Sequence, residues 1–133
     1  MTSSPSDARQ RILLIDDDEL IAGSLRNYLA RNGCAVDVAV DAPEAERLMT
    51  SGRYDVIIVD PYLTGGVHRG NGELIDRVAR LQQDAAMIVL TAYSSPELAQ
   101  SAADCKVAAV LSKPQSVVAL NDLVTNIRLQ SEG

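Results

Sequence analysis

Phenylalanine and tryptophan are absent from this chain of 133 residues, so every aromatic role falls to Tyr28, Tyr54, Tyr62, Tyr93 and the single histidine, His68. Long apolar stretches are missing too. Aliphatic runs such as Ile12–Ile15, Val56–Val59 and Met87–Leu90 hold four residues each, against about 20 for a bilayer span. The first residues, MTSSPSDARQR, carry no apolar stretch of the kind that directs secretion, so a cytoplasmic protein without membrane contact is expected. Cysteine is limited to Cys34 and Cys105, whose separation matches no metal-ligand spacing and reads as two free thiols. Basic runs are lacking as well, and a net charge of −6 argues against direct contact with nucleic acid, whose binding rests on clustered Lys and Arg.

What remains is globular in composition, with 47 % hydrophobic and 23 % charged residues in a length suited to one domain. Residues 1–10 are polar and Ser-rich and read as a disordered tail, residues 11–130 as the domain, and 131–133 as a short tail. Five aliphatic runs punctuate the domain: Ile12–Ile15, Val36–Val40, Val56–Val59, Met87–Leu90 and Val107–Leu111. Runs this short and this apolar suit strands buried on both faces of a parallel sheet. The segments between them repeat apolar residues at helical spacing: Leu20, Ile21, Leu25, Tyr28 and Leu29 in one, Leu74, Ile75, Val78 and Leu81 in another, and Val117, Leu120, Val124 and Ile127 in the last. Asp41 with Glu44, and Ser95 before Pro96, supply helix-start chemistry, while Gly33 and Gly52 fall where helices should end. Five strand–helix repeats predict an α/β fold with a five-stranded parallel, doubly wound sheet in the flavodoxin-like order 2-1-3-4-5 and helices on both faces.

Such sheets bind ligands beyond the carboxyl ends of their strands, where the strand order reverses. The first strand ends in Asp16-Asp17, the third in Asp60, the fourth in Thr91 and the fifth in Lys113. Taken singly, each has an ordinary structural explanation. Asp16, Asp17 and Asp18 could open a helix, Asp60-Pro61 a turn, Thr91 could be a buried β-former, and Lys113 a solvated loop charge. Taken together they converge on one edge, where three carboxylates repel one another unless a cation compensates. Mg²⁺, a hard ion that prefers oxygen ligands, suits them. Lys113 and Thr91 supply a charge and a hydroxyl for a phosphoryl group.

The stretches ILLIDD (12–17), DVIIVD (55–60), VLTA (89–92) and SKP (112–114), in this order, resemble the response-regulator receiver domain of two-component systems, which has a CheY-like fold. The resemblance covers residues from about 11 to about 130. It implies a phosphoacceptor signalling switch rather than an enzyme in its own right, although such a domain assists its own phosphorylation and dephosphorylation. Asp60 would accept the phosphoryl group from a histidine kinase or histidine phosphotransfer protein. Asp17 would ligate Mg²⁺ directly, Asp16 would act through metal-bound water, and Asp60 and the Tyr62 carbonyl would complete the metal ligands. Thr91 and Lys113 would contact the phosphoryl oxygens, the Lys113–Pro114 peptide bond would be cis, and a downstream protein target or output domain would read the change. A monomer or weak homodimer is expected.

Two features depart from the family pattern. The loop from Pro61 to Gly72 is long and Gly-rich, has Thr64 where the family carries proline, and holds His68, read as a solvated loop residue. Val110 stands where receivers carry the aromatic that reports phosphorylation, and Lys106 replaces a glycine common at the end of the fourth helix. These departures leave open a phosphorylation-independent interaction module. The Asp-x-Asp pattern at Asp16 and Asp18 locally resembles haloacid-dehalogenase phosphohydrolases, although Glu19-Leu20 does not continue that motif.

Overall fold

The computed structural model describes residues 10–63, 73–93 and 95–132, with side chains through 127. All of the expected tail except Gln10, and the part of the long loop that holds Thr64, His68 and its glycines, lie outside the described residues. Strands and helices alternate in chain order: β1 (Arg11–Ile15), α1 (Glu19–Arg31), β2 (Ala35–Ala39), α2 (Ala42–Ser51), β3 (Val56–Val59), α3 (Glu73–Leu81), β4 (Ala86–Thr91), α4 (Pro96–Asp104), β5 (Ala109–Ser112) and α5 (Val117–Glu132). The strands form one parallel sheet in the order β2-β1-β3-β4-β5. Fold class and strand order are therefore those the sequence predicts. Among the described residues no helix is long and apolar enough to cross a membrane.

Side chains alternate across a strand, so a fully apolar strand feeds two cores. Leu13, Ile15, Ile57, Val59, Met87 and Val89 pack with α2, α3 and α4 through residues such as Met49, Ile75 and Leu98. Their neighbours Ile12, Leu14, Val56, Ile58, Ile88 and Leu90 pack with Leu25 and Leu29 of α1 and Leu120 and Val124 of α5.

Helix ends follow local chemistry. Asp18 caps α1 by accepting from the Ile21 N–H, Asp41 caps α2 by accepting from the Glu44 N–H, and Ser95 caps α4 by accepting from the Leu98 N–H. Glu44 reaches back to the Val40 N–H, giving a capping-box arrangement at α2. Gly33 takes the left-handed conformation after α1, with φ 92°.

Three sequence expectations shift. Leu20 and Ile21 belong to the apolar repeat of α1 but are 82 % and 42 % exposed; the buried stripe is Ala22, Leu25 and Leu29. Leu81, the last member of the α3 stripe, is likewise 37 % exposed. The run Val107–Leu111 enters the sheet only at Ala109, because Val107 closes the turn after α4 by donating to the Ala102 carbonyl. Lys106 makes that turn with φ 57°, a left-handed conformation that glycine adopts at less cost.

At the amino edge of the sheet, the buried Gln82 side chain ties three segments together. Its amide nitrogen donates to the Met49 and Gly52 carbonyls, and its amide oxygen accepts from the Tyr54 N–H. Gln82→Leu keeps the size but strands three backbone groups; we expect a loss of about 3 kcal/mol in a urea melt. Beside it, the Tyr54 hydroxyl donates to Asp37, and burial together with that bond pushes the phenol up to about 12. The unfolded chain loses this proton near pH 10 while the folded protein keeps it, so folding stability falls as pH rises from about 10 to about 12. Tyr54→Phe should be less stable at neutral pH by roughly 1 kcal/mol and should flatten that alkaline loss in melts across the window.

Candidate functional site

The carboxyl ends of β1 and β3 lie side by side, because Ile15 pairs with Val59. The Asp60 N–H extends that ladder by donating to the Ile15 carbonyl at 2.8 Å, and the Asp16 N–H donates to the Ala39 carbonyl at 3.0 Å. The sheet thus fixes both aspartate backbones. From β5, the Lys113 N–H donates to the Thr91 carbonyl at 2.8 Å.

Lys113 then crosses the edge. Its Nζ donates to Asp16 Oδ2 and to Asp60 Oδ2, each at 2.8 Å, with the lysine side chain 16 % and both carboxylates 10 % exposed. The remaining oxygens meet backbone donors: Asp16 Oδ1 accepts from the Asp18 N–H, and Asp60 Oδ1 from the Tyr62 N–H, both at 2.9 Å. Asp17 completes the group, for Asp16, Asp17 and Asp60 each offer an oxygen within 4.8 Å of the others. Among the described residues, three carboxylates face the Lys113 ammonium, an all-oxygen, net-negative set suited to a divalent, oxygen-preferring cation.

Burial raises the Asp16 pKa, and the nearby Asp60 charge adds to that. The bonds from Lys113 and the Asp18 N–H oppose the rise without cancelling it. For Lys113, burial alone would lower the pKa, but its two carboxylate partners together outweigh burial and hold it raised. The ammonium is therefore a dependable positive charge.

Of the residues singled out in the sequence, Asp16, Asp17, Asp60 and Lys113 come together. Tyr62 joins them through its N–H. Thr91 sits at the adjacent strand end, 3 % exposed, with its hydroxyl engaged by the Tyr93 backbone: it donates to the Tyr93 carbonyl at 2.7 Å and accepts from the Tyr93 N–H at 3.1 Å. Asp18 is occupied as the α1 cap. The Lys113–Pro114 peptide is cis, as the family resemblance implied.

Two features were not read from the sequence. The Tyr62 and Tyr93 rings meet edge to face, with centroids 5.5 Å apart and planes at 72°. Each tyrosine lies two residues past a site residue on neighbouring strands, and that shared offset was the available signal. The second is a largely apolar cavity of about 350 Å³ between α1 and α5, lined by Leu20, Ile21, Leu90, Pro114 and Val117 and also by Lys113.

Comparison with known proteins agrees with this geometry. A model of the response regulator receiver domain matches residues 12–127. Among curated proteins, the regulatory protein VanRB of Enterococcus faecalis is 33 % identical over 104 residues, covering 78 % of this chain and 46 % of that protein. The response regulator MprA of Mycolicibacterium vanbaalenii is 33 % identical over 121 residues, covering 89 % of this chain and 48 % of that protein. The chain thus spans about half the length of these curated relatives. Among solved structures, a response regulator from Burkholderia pseudomallei with a phosphorylated aspartic acid, calcium ion and citrate aligns with a TM-score of 0.76 at 36 % identity, covering 92 % of this chain and 72 % of that one. A CheY-like receiver domain from Methanospirillum hungatei shares the fold, with a TM-score of 0.84 at 24 % identity over 94 % of this chain and 98 % of that one. With the family profile spanning nearly all of the domain and the acidic edge in place, the chain belongs to the response-regulator receiver domain family.

Proposed function

We propose that the protein is a signalling switch that takes a phosphoryl group onto Asp60 from a phosphohistidine of a kinase or phosphotransfer protein and thereby changes its binding to a downstream protein or output domain. The observation that carries this reading is the Lys113 ammonium held at 2.8 Å from both Asp16 and Asp60 inside the three-carboxylate cluster. In the transfer an Asp60 carboxylate oxygen attacks phosphorus, and the phosphorus–nitrogen bond breaks. Its electron pair leaves on the imidazole nitrogen, and an acyl phosphate forms.

Phosphoryl transfer asks the protein to align reactants and neutralise charge. Lys113 pairs with the incoming oxygens without leaving the site, and the backbone bonds to Asp16 and Asp60 keep both carboxylates aimed. Thr91 supplies a hydroxyl donor once it turns from Tyr93. The donor set is all oxygen, which fits Mg²⁺ held by Asp16, Asp17, Asp60 and the Tyr62 carbonyl; bound there, the ion would screen the charge of the transferring group. A calcium ion accompanies the phosphorylated aspartate of the Burkholderia relative, which supports a hard divalent cation.

The apolar cavity beside Lys113, with Leu20 and Ile21 exposed at its rim, suits docking of the phosphodonor protein, and two cysteines not joined in a disulfide suit a cytoplasmic setting. One observation favours a constitutive interaction module instead. Val110, at the position of the family's reporting aromatic, is 47 % exposed. Against the hydrolase reading, which would use Asp16 or Asp18 as nucleophile, Asp18 caps α1 and both Asp16 oxygens accept from Lys113 and the Asp18 N–H.

Incubation with Mg²⁺ and acetyl phosphate should add one phosphoryl mass to the intact protein and none to Asp60→Asn; an unmodified wild type would favour the constitutive module. Leu20→Glu should slow transfer from a phosphohistidine protein at least tenfold while leaving the acetyl phosphate reaction unchanged. Equal loss with both donors would exclude docking at that rim.

Removing Lys113 takes away the cation that the described residues bring to the three carboxylates. In chelator, Lys113→Ala should lose about 2 kcal/mol in thermal or urea melts, less than a fully buried pair because the site is partly exposed. Mg²⁺ should restore part of it. A hundredfold excess over Kd should stabilise the wild type by about 2.7 kcal/mol, a gain that Asp17→Asn should abolish.

A further inference from the structure

Four contacts join Asp60 to Thr91 in a closed path. Asp60 Oδ1 accepts from the Tyr62 N–H at 2.9 Å, the Tyr62 ring meets the Tyr93 ring at 5.5 Å, and the Tyr93 carbonyl and N–H both engage the Thr91 hydroxyl, at 2.7 and 3.1 Å. Thr91 lies at the end of β4, whose Val89 pairs with Val59 just before Asp60. The two ends of the path are therefore neighbours in the sheet, and the path runs over the surface between them.

The other tyrosines do not serve this edge. Tyr28 lies on α1, and Tyr54 is buried at the opposite edge with its hydroxyl on Asp37. Tyr62 is half-buried against the core, whereas Tyr93 is 68 % exposed. One ring is anchored and its partner is presented to solvent.

We propose that this ring contact is a two-position gate: closed on Tyr62 while Asp60 is unmodified, and opened by phosphorylation so that the Tyr93 ring reports the state of the site in place of the aromatic missing at Val110. The inference rests on the phosphoacceptor reading of Asp60. An acyl phosphate brings about −1.5 to −2 of charge and strong acceptor oxygens. A hydrogen bond to a charged oxygen is roughly twice as strong as one to a neutral carbonyl, so the Thr91 hydroxyl turns from the Tyr93 carbonyl to the phosphoryl group. That turn removes the two bonds by which Thr91 holds the Tyr93 backbone, and the ring leaves Tyr62. Val110 has no ring to rotate; the gate instead uses the loop that already holds the Thr91 hydroxyl.

The composition makes the test direct, since with no Phe or Trp the aromatic proton spectrum contains only four tyrosines and one histidine. In Mg²⁺ buffer the whole chain should show a ring-to-ring nuclear Overhauser cross-peak between Tyr62 and Tyr93, identified by its absence in Tyr93→Leu. Saturating beryllofluoride, a phosphoryl mimic, should reduce that cross-peak at least threefold and shift the Thr91 and Tyr93 amides, and should do neither in Asp60→Asn. A cross-peak that persists while fluorine NMR and the Asp60 and Tyr62 amides show the adduct overturns the gate and leaves the phosphoacceptor reading standing. No cross-peak before beryllofluoride, or the same loss in Asp60→Asn, also overturns the gate. Absence of any adduct in the wild type overturns both.

Discussion

Like charges crowded at one sheet edge set the terms for the rest of this molecule. Asp16, Asp17 and Asp60 sit within 4.8 Å of one another because parallel pairing aligns the ends of β1 and β3. Their repulsion opposes folding, and the Lys113 ammonium offsets only part of it. Burial adds to the cost: it raises the Asp16 pKa in spite of a lysine at 2.8 Å and a backbone donor, with the Asp60 charge a smaller contribution. The acids that the described residues gather here suit a divalent cation, and that cation together with Lys113 would suit a reacting anion. The rest of the fold holds that edge rigid, with β1 and β3 supplying fully buried aliphatic residues to two cores.

The parts of this arrangement that depend on backbone periodicity were legible in the sequence. Short aliphatic runs told where strands lie, and the residue closing each run told what stands at the edge. Asp16, Asp17, Asp60 and Lys113 are found together for that reason. Helix caps were legible because Asp41, Ser95 and Gly33 act within a few residues of themselves. Side-chain direction was not legible in the same way. Thr91 was correctly placed at the edge, but nothing local to it says that its hydroxyl prefers the Tyr93 backbone to the acids.

The misread residues share a cause. Periodicity identifies which residues fall on one stripe of a helix, but burial depends on what another element lays over that stripe. Leu20 and Ile21 satisfy the α1 repeat, yet they stay exposed beside the cavity that Lys113, Pro114 and Val117 also line. Val107 satisfies a strand run, yet its N–H is consumed by the turn that Lys106 makes. In both places a local pattern gives way to a neighbour distant in sequence or to a backbone bond.

The charged set and the aromatic reporter answer to different physical conditions. The acids and the lysine are tied by electrostatics: losing the lysine leaves partly buried carboxylates facing one another uncompensated. A reporter side chain is bound by no such condition. It needs only to touch an element whose position changes when the site gains charge, and several loops at the edge meet that requirement. Val110 lies on the outermost strand and is half-exposed, so an aliphatic residue there costs the core little. Tyr93 follows Thr91 by two residues and already holds its hydroxyl, which puts it one bond away from the residue the phosphoryl group would recruit. The chemistry of the site can therefore stay constant while the surface that announces it moves from one strand to the next.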